Sequence, residues 1–474
     1  MKSLWQVQGS ALPAGGPISP GDLHEITFSC IIDANLSQTK KQELIRMSAI
    51  REHVLQNGMT ILCWHQPYLH GVEMGLYLKG GSIYETEETQ GISHLLEHLC
   101  FRGLGGLNHE VLQRTLNRFG ADLEGMTTAE AIVFRLTSLP RFFDGMLELF
   151  TKFFTLSPWP LEAIEKEKHI VLRQIEQAEE DFDEAVDRAW RETPAGVFPR
   201  MGTAEAISAL SAETIWNWQN LIFQPQNACL VITGNFSTGM EQTAIETFEG
   251  LENYTSEPPF EQHIPLGFCM RDASSDLILD GDPEAQAQVH IAFDIDEENV
   301  FPLAARIVDT ITAGSDDSLL FQALREEEAL VAEIESYIQE IGQFHRLVIR
   351  YDVRQEKLAE SLRKVFMYLH RLTMYVRPIR LEQVRSRFTV GSALAQDNVS
   401  EMNELAGWAW VAGDVSRADL DAQSAQLNDL SAEELLDAAQ TIFKPENLVI
   451  SVERDPEAVT DDLGKLFAEL RGML

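Results

Sequence analysis

Three residues within one short stretch have the types and the spacing of a metal site. The stretch from Gly91 to Leu99 reads GISHLLEHL, which has the pattern of an amphipathic helix. On such a helix His94 and His98 lie one turn apart on the same face, so both imidazoles can bind a single ion. Glu97 lies on the flank of that face, where it can act on a water molecule beside the ion without being a ligand. The spacing therefore predicts a metal site in which Glu97 lies beside a metal-bound water.

The sequence around this helix predicts an α+β fold. A strand-turn-strand signal surrounds Asn57-Gly58, and further strand patterns cover residues 72–79 and 131–136. Helical periodicity covers residues 110–119 and 142–154 and begins again at Leu161. Strands and helices are therefore interspersed along the chain, as in folds that place helices on a mostly antiparallel sheet.

A short internal sequence repeat, called the sequence echo below, predicts two similar lobes. The segment IFQPQN at 222–227 and the segment IFKPEN at 442–447 each precede an apolar strand-like run. The same helix end, proline turn and buried strand therefore close two related units. We accordingly predict an extended arm, a metal-site lobe, a linker and a second lobe, at residues 1–48, 49–251, 252–283 and 284–474.

Composition and charge narrow the possible partners. The net charge of −37 repels phosphate backbones and anionic lipid headgroups, so we expect neither nucleic acid nor a membrane as partner. A neutral or basic peptide is compatible with this charge. The five cysteines show no Cys-x-x-Cys spacing, which favours reduced, buried thiols. No signal-like or membrane-spanning apolar run occurs, and we expect a cytoplasmic protein.

Several of these segments resemble the pitrilysin/insulinase family of zinc metallopeptidases, which includes the mitochondrial processing peptidases. The resemblance begins at NGMT, residues 57–60, continues through GGSIYE at 80–85, and includes the metal helix through Gly103. It extends more diffusely over nearly all of the chain after residue 48. It implies that His94 and His98 bind Zn²⁺ and that Glu97 is the catalytic base of a peptidase.

The resemblance also implies a third ligand, at which this chain departs from the family. The family has a glutamate on a later helix, and the matching position is Gln174, with the supporting upstream glutamate at Glu167. A carboxamide is a weaker zinc ligand than a carboxylate, so we expect reduced zinc affinity. Glu176 could substitute only by a local shift, because two residues along a helix turn it about 200° away.

Two further departures concern substrate. Glu124 occupies the position of a family asparagine that holds peptide near the metal, and Arg325 matches a substrate-contacting arginine whose companion tyrosine is replaced by Ala332. Some family members divide the metal helix and the arginine–tyrosine pair between two similar chains. We therefore expect a zinc endopeptidase-like subunit that acts on extended peptides in a heterodimer with a homologous partner. The alternative is a non-catalytic, peptidase-like scaffold or partner-binding subunit.

Overall fold

The fold was analysed in a computed structural model. It describes residues 50–178, 182–192, 198–255, 259–260, 276–282, 285–296, 299–341, 344–459 and 462–474. Residues 50–474 belong to one compact unit. The predicted arm, residues 1–48, lies outside the described residues.

The described strands range from two to eleven residues in length. Their bounds are β1 Arg51–Val54, β2 Thr60–His65, β3 Val72–Lys79, β4 Gly103–Leu104, β5 Leu107–Asn108, β6 Leu123–Thr127, β7 Ala131–Ser138, β8 Ala228–Gly234, β9 Leu277–Asp280, β10 Ala287–Ile295, β11 Val331–Ile341, β12 Phe344–Val353 and β13 Leu448–Arg454.

The α-helices are interspersed with these strands, in several places as runs of consecutive helices. Their bounds are α1 Ile92–Cys100, α2 His109–Phe119, α3 Phe143–Thr151, α4 Leu161–Ala178, α5 Phe182–Glu192, α6 Ala204–Ala209, α7 Ala212–Ile222, α8 Thr238–Glu249, α9 Pro302–Thr312, α10 Leu358–Met374, α11 Pro378–Ala395, α12 Val399–Val411, α13 Leu420–Asp429, α14 Ala432–Ile442 and α15 Leu463–Arg471.

Two mixed sheets organise the molecule, and we call each sheet with the helices on its inner face a lobe. In the first lobe the described strands run in the order β1-β2-β8-β3-β7-β6, and in the second β11-β12-β10-β13-β9. Neighbouring strands are antiparallel except for β2 with β8 and β9 with β13. Each lobe has its own large apolar core between sheet and helices. The predicted α+β class with two similar lobes is confirmed.

The two halves of the sequence echo adopt the same local structure. In both places a helix ends before a proline turn and a strand, and the asparagine of the turn bonds back to the helix end. Asn227 Nδ2 donates to the Ile222 carbonyl at 3.0 Å, and Asn447 Nδ2 donates to the Ile442 carbonyl at 3.1 Å. The amide thus satisfies a helix carbonyl that has no partner within the helix.

Each half of the chain contributes a helix that packs on the sheet of the other half. Helix α12, from the second half of the chain, packs on the outer face of the first sheet. There Asn403 Nδ2 donates to the Val231 carbonyl at 3.1 Å, and Tyr77 Oη donates to the Asn403 carbonyl at 3.1 Å. In the reverse direction, Trp190 of α5 donates from Nε1 to Asp294 Oδ1 on the second sheet at 3.2 Å.

The same exchange includes charged contacts. The Asp183 carboxylate on α5 lies 2.9 Å from His290 Nε2 on β10, and Asp187 accepts from Arg346 Nη2 of β12 at 2.9 Å. The Arg346 guanidinium also lies 3.8 Å from the centroid of the Trp190 ring. These buried and half-buried contacts hold α5 on the second sheet.

The second sheet also begins earlier in the sequence than expected. Strand β9, Leu277–Asp280, lies within the segment predicted as linker, and it pairs in parallel with β13. The bounds given above for the arm, the two lobes and the linker stay predictions.

The described helices include none that is both long enough and apolar enough to cross a bilayer. Cys63, Cys100 and Cys229 are free and buried, as the sequence predicts.

The exchanged helix α12 depends on a glycine at its contact with the sheet. A Cβ atom at Gly407 would lie 2.0 Å from the ring of Tyr77, which is fully buried. We predict that Gly407→Ala lowers the free energy of unfolding by roughly 1–3 kcal/mol, because the overlap forces the helix away from the sheet. Urea denaturation of the full chain measures this change.

The matched control is Gly391→Ala on α11, where a Cβ meets nothing within 4 Å. Here alanine should leave stability unchanged or raise it by up to about 1 kcal/mol, since it favours the helix. Equal effects of the two substitutions would contradict the close packing of α12 against the first sheet.

Candidate metal centre

Helix α1 is anchored at its first turn by a buried carboxylate. Glu85 accepts hydrogen bonds from the backbone N–H groups of Gly91 at 2.7 Å and Ser93 at 3.0 Å. These amides have no partner within the helix, and a carboxylate at a helix N-terminus is also favoured by the helix dipole. Gly91 enters the helix at φ 77°, a left-handed conformation that glycine adopts without strain. The start of the metal helix is therefore fixed.

The two histidines of α1 lie together, as their spacing predicts. The ring centroids of His94 and His98 are 4.6 Å apart, with the rings inclined at 69°. The apolar residues of the helix are buried in the core of the first lobe, whereas both imidazoles stay partly exposed. A ridge of two nitrogen donors thus faces away from the core.

Helix α4 presents two polar side chains to this ridge. Gln174 Oε1 lies 3.2 Å from His94 Nε2, and Glu167 Oε2 lies 3.1 Å from His98 Nδ1. Seven residues are nearly two helical turns, so both side chains lie on one face of α4. Glu176, two residues beyond Gln174, is exposed. The structure therefore places Gln174, and not Glu176, beside the histidines.

The Glu167 carboxylate determines which nitrogen of His98 is available to an ion. A carboxylate only accepts, so the His98 Nδ1–H donates to it and Nε2 keeps its lone pair. Glu167 is almost fully buried, at 2% exposure, and it also accepts from Arg102 Nε. The arginine compensates the buried negative charge, which would otherwise be costly. Burial and the nearby His94 lower the pKa of His98, which favours the neutral imidazole that binds metal.

The types of donor present suit a zinc ion, and one pair of donors has the matching spacing. Zinc bonds of about 2.0–2.1 Å in a tetrahedron imply a separation of roughly 3.3–3.4 Å between neighbouring donor atoms. The 3.2 Å between His94 Nε2 and Gln174 Oε1 is close to that value. His94 Nδ1 is buried without a hydrogen-bond partner among the described residues. Two imidazoles and one amide oxygen are chemically suited to zinc, although the amide is the weakest of the three donors.

Glu97 lies beside the histidines with its carboxylate in a defined position. Thr127 Oγ1 donates to Glu97 Oε2 at 2.5 Å, and His94 Nδ1 lies 3.7 Å from the same oxygen. Burial opposes the charged form of Glu97, but the nearby His94, the Thr127 hydroxyl and the nearby His98 outweigh it, so the pKa lies below its ordinary value. The side chain is therefore a carboxylate near neutral pH and can accept a proton.

Glu124 lies on β6, which is an edge strand of the first sheet. Successive residues of a strand point to opposite faces, so Glu124 faces away from Gly125 and Thr127, which adjoin Glu97. Its largely exposed carboxylate pairs with Arg135 at 3.3 Å. The structure thus places Glu124 on an edge strand but outside the group around His94.

Arg325 lies in the second lobe, at a cavity of about 670 Å³ that Ala332 also lines. Its guanidinium is 4.7 Å from the centroid of the Phe321 ring and 3.7 Å from the Glu326 carboxylate. The structure therefore brings the predicted arginine and the position of the missing tyrosine to one cavity. These contacts with Phe321 and Glu326 do not connect Arg325 to His94 or His98 within the described residues.

The sequence reasoning did not find Glu85, Arg102 or Thr127. Arg102 follows His98 at helical spacing, a signal that could have suggested a partner for Glu167. Glu85 lies only six and eight residues before the amides that it binds, but in a segment without a regular pattern. Thr127 bonds to Glu97 from a strand thirty positions away, and no local pattern in the sequence indicates this contact.

A second group of possible metal donors lies at the opposite edge of the first sheet. Donor atoms of His53, Cys63 and Glu241 lie within 4.8 Å of one another. However, Arg51 binds both oxygens of Glu241, at 2.9 and 2.6 Å, and His53 Nε2 is 2.9 Å from the same carboxylate. Burial also raises the pKa of the Cys63 thiol. This group is an ion-paired cluster in which no thiolate is available.

Comparisons with known proteins agree with this fold. Residues 60–197 match the family model described as insulinase (peptidase family M16), and residues 209–388 match the model described as the peptidase M16 inactive domain. The chain therefore belongs to the insulinase family, peptidase family M16.

Similar proteins are zinc proteases and processing peptidases. An uncharacterized zinc protease of Bacillus subtilis is 23% identical over 61% of this chain and 70% of its own length. The mitochondrial-processing peptidase subunit beta of Neurospora crassa is 30% identical over 28% of each chain. Among solved structures, a protease from Helicobacter pylori has a TM-score of 0.75 at 16% identity, covering 86% of this chain and 100% of that one. The likeness to that structure supports the fold alone.

Glu167 orients His98, so its loss should weaken metal binding. We predict that Glu167→Ala lowers zinc affinity by roughly 10- to 100-fold, the usual cost of removing a partner that orients a metal-binding histidine. Competition with a chromophoric chelator measures the affinity. Glu176→Ala is the control on the same helix, since its side chain is exposed, and it should bind zinc as the unaltered chain does. A loss confined to Glu176→Ala would contradict the placement of α4.

Proposed function

We propose that this chain is a zinc-dependent endopeptidase subunit that hydrolyses peptides bound in an extended conformation. The observation that carries the proposal is the convergence of α1 and α4, with His94 Nε2 and Gln174 Oε1 at 3.2 Å and His98 oriented by Glu167. Membership of a peptidase family, and relatives named zinc proteases, support the same reading.

His94, His98 and Gln174 would hold the ion. When bound, zinc supplies Lewis acidity, which polarises a peptide carbonyl and makes water a stronger acid. The protein supplies the rest of the chemistry. Glu97, held by Thr127 and ionised near neutral pH, accepts a proton from the attacking water and delivers it to the amine that leaves.

The peptide would bind along β6. Among the described strands, none pairs with the outer side of β6, so an extended peptide can add to the sheet there through main-chain hydrogen bonds. Such contacts give loose side-chain selectivity. Glu124 would contact the peptide from the exposed face of the strand, and Arg325 would contact a more distant part of it at the second-lobe cavity.

We further propose that a homologous partner subunit completes the substrate site. Ala332 lines the cavity beside Arg325, where the family resemblance leads us to expect a tyrosine. A similar chain that carries both the arginine and the tyrosine could supply these contacts. The cytoplasmic location predicted above likewise stays a prediction.

The second candidate is a non-catalytic subunit that binds a peptide or a partner. It is favoured by the neutral Gln174 at the third ligand position and by the match of residues 209–388 to a domain described as inactive. The retained His94, Glu97 and His98 favour the enzyme, because a scaffold does not need a carboxylate next to two metal-binding imidazoles.

Glu97→Gln tests the assigned base. The amide keeps the size of the side chain but cannot accept the proton, so we predict that hydrolysis of an unstructured peptide falls by about 10²- to 10⁴-fold while zinc remains bound. Peptide turnover and metal content are measured on the same samples. Glu176→Gln, on the exposed side of α4, serves as control.

Undiminished turnover in Glu97→Gln would rule out this residue as the base. Absence of turnover in the unaltered, zinc-loaded chain at all concentrations, restored by a homologous subunit, would support the heterodimer. Full turnover at low concentration of the chain alone would exclude the need for a partner.

Gln174→Glu separates a weakened enzyme from a scaffold. A carboxylate replaces the neutral amide oxygen, so we predict that zinc affinity rises about 10-fold or more and that hydrolysis rises with it. Gln177→Glu adds the same charge at an exposed position of α4 and should change neither quantity. If zinc affinity and turnover both stay unchanged in Gln174→Glu, the third-ligand assignment is wrong.

A further inference from the structure

Strand β6 contains a hydroxyl group directed at the proposed catalytic carboxylate. Thr127 Oγ1 donates to Glu97 Oε2 at 2.5 Å, and Thr127 is only 3% exposed. The two residues lie on different elements, thirty positions apart in the sequence. This hydrogen bond is short and involves a charged acceptor, so it is of the stronger kind.

A second residue of the same strand is also fitted to Glu97. Gly125 lies two positions before Thr127 and therefore on the same face of β6. A Cβ atom at Gly125 would approach Glu97 Oε1 to 2.8 Å and the Phe101 ring to 2.8 Å. Glu97 Oε2 thus accepts a hydrogen bond from Thr127, and Glu97 Oε1 has room only because residue 125 has no side chain. Together, Gly125 and Thr127 form a cradle for Glu97.

The cradle holds the carboxylate more closely than the nearby imidazole of His94 does. His94 Nδ1 lies 3.7 Å from Glu97 Oε2, which is too long for a strong hydrogen bond. Without the Thr127 hydroxyl, the carboxylate could rotate about its terminal torsion, which is broad for glutamate. A general base has to be oriented toward the proton that it accepts, so this rotation would reduce catalysis without removing any metal donor.

We propose that Thr127 is a positioning residue for the base Glu97 and links that base to the strand on which the peptide docks. The inference rests on the proposed function, because β6 is the proposed docking strand. Residue 127 belongs to the backbone that a docked peptide would pair with, whereas its side chain holds the carboxylate. Docking of a peptide would therefore stiffen the strand and the orientation of the base together.

The test compares Thr127→Val, which keeps the shape and removes the hydroxyl, with Thr127→Ser, which keeps the hydroxyl. Both are assayed as full-length, zinc-loaded chain, with the partner subunit if hydrolysis requires it. We expect Thr127→Val to lower kcat by roughly 10- to 100-fold with KM and zinc content nearly unchanged. Thr127→Ser should recover most of kcat. If Thr127→Val does not fold, comparing Thr127→Ser with Thr127→Ala isolates the effect of the hydroxyl in the same way.

A crystal structure of each variant gives a readout that does not depend on activity. The Glu97 carboxylate should be rotated in Thr127→Val and should keep its position in Thr127→Ser. The inference would be overturned by an unmoved carboxylate or an unchanged kcat in Thr127→Val. Equal losses of kcat in Thr127→Val and Thr127→Ser would also overturn it. If the unaltered chain has no activity under any condition, the proposed function fails, whereas the crystal structures still decide whether Thr127 orients Glu97.

Discussion

A buried carboxylate joins the two helices on which the site depends. Glu167 is 2% exposed, and it accepts hydrogen bonds from His98 and from Arg102. Burying a carboxylate costs several kcal/mol unless donors or an opposite charge compensate it. These partners therefore require α1 and α4 to keep one relative position. That position brings Gln174, two turns further along α4, to His94.

The rest of the first lobe supports this pair of helices from two further directions. Glu85 holds the first turn of α1 through two backbone amides, and Thr127 holds Glu97 from the edge strand. The helix exchange then ties the first sheet to the second half of the chain. As a result, the cavity with Arg325 belongs to the same compact unit as the histidines.

The local parts of this structure could be predicted from the sequence. Periodicity indicated several strands of the first lobe and helices α1 to α4, the histidine spacing indicated the ridge on α1, and the repeated proline turn indicated two lobes. These features depend on neighbours within about ten residues, and their patterns are visible in the chain. The position of Gln174 beside His94 could also be predicted, because both helices are regular and the family resemblance supplied the alignment.

Other parts could not be predicted because they depend on packing between distant segments. The pairing of Tyr77 with Asn403, the helix exchange as a whole and the bond from Thr127 to Glu97 join residues with no shared local pattern. Strand β9 was assigned to the linker because four residues between acidic and proline-containing segments give little periodicity. Arg102 was missed because it lies just beyond the end of α1, where helical spacing is no longer assured.

The central claim is that the ridge of α1 and the face of α4 hold one zinc ion. Anomalous diffraction at the zinc edge, from crystals of the full chain grown with zinc, tests it most directly. Our account predicts one strong peak about 2.0–2.2 Å from the Nε2 atoms of His94 and His98 and from Gln174 Oε1. A peak beside His53, Cys63 and Glu241 with none at the α1 ridge, or no peak at either place, would contradict it.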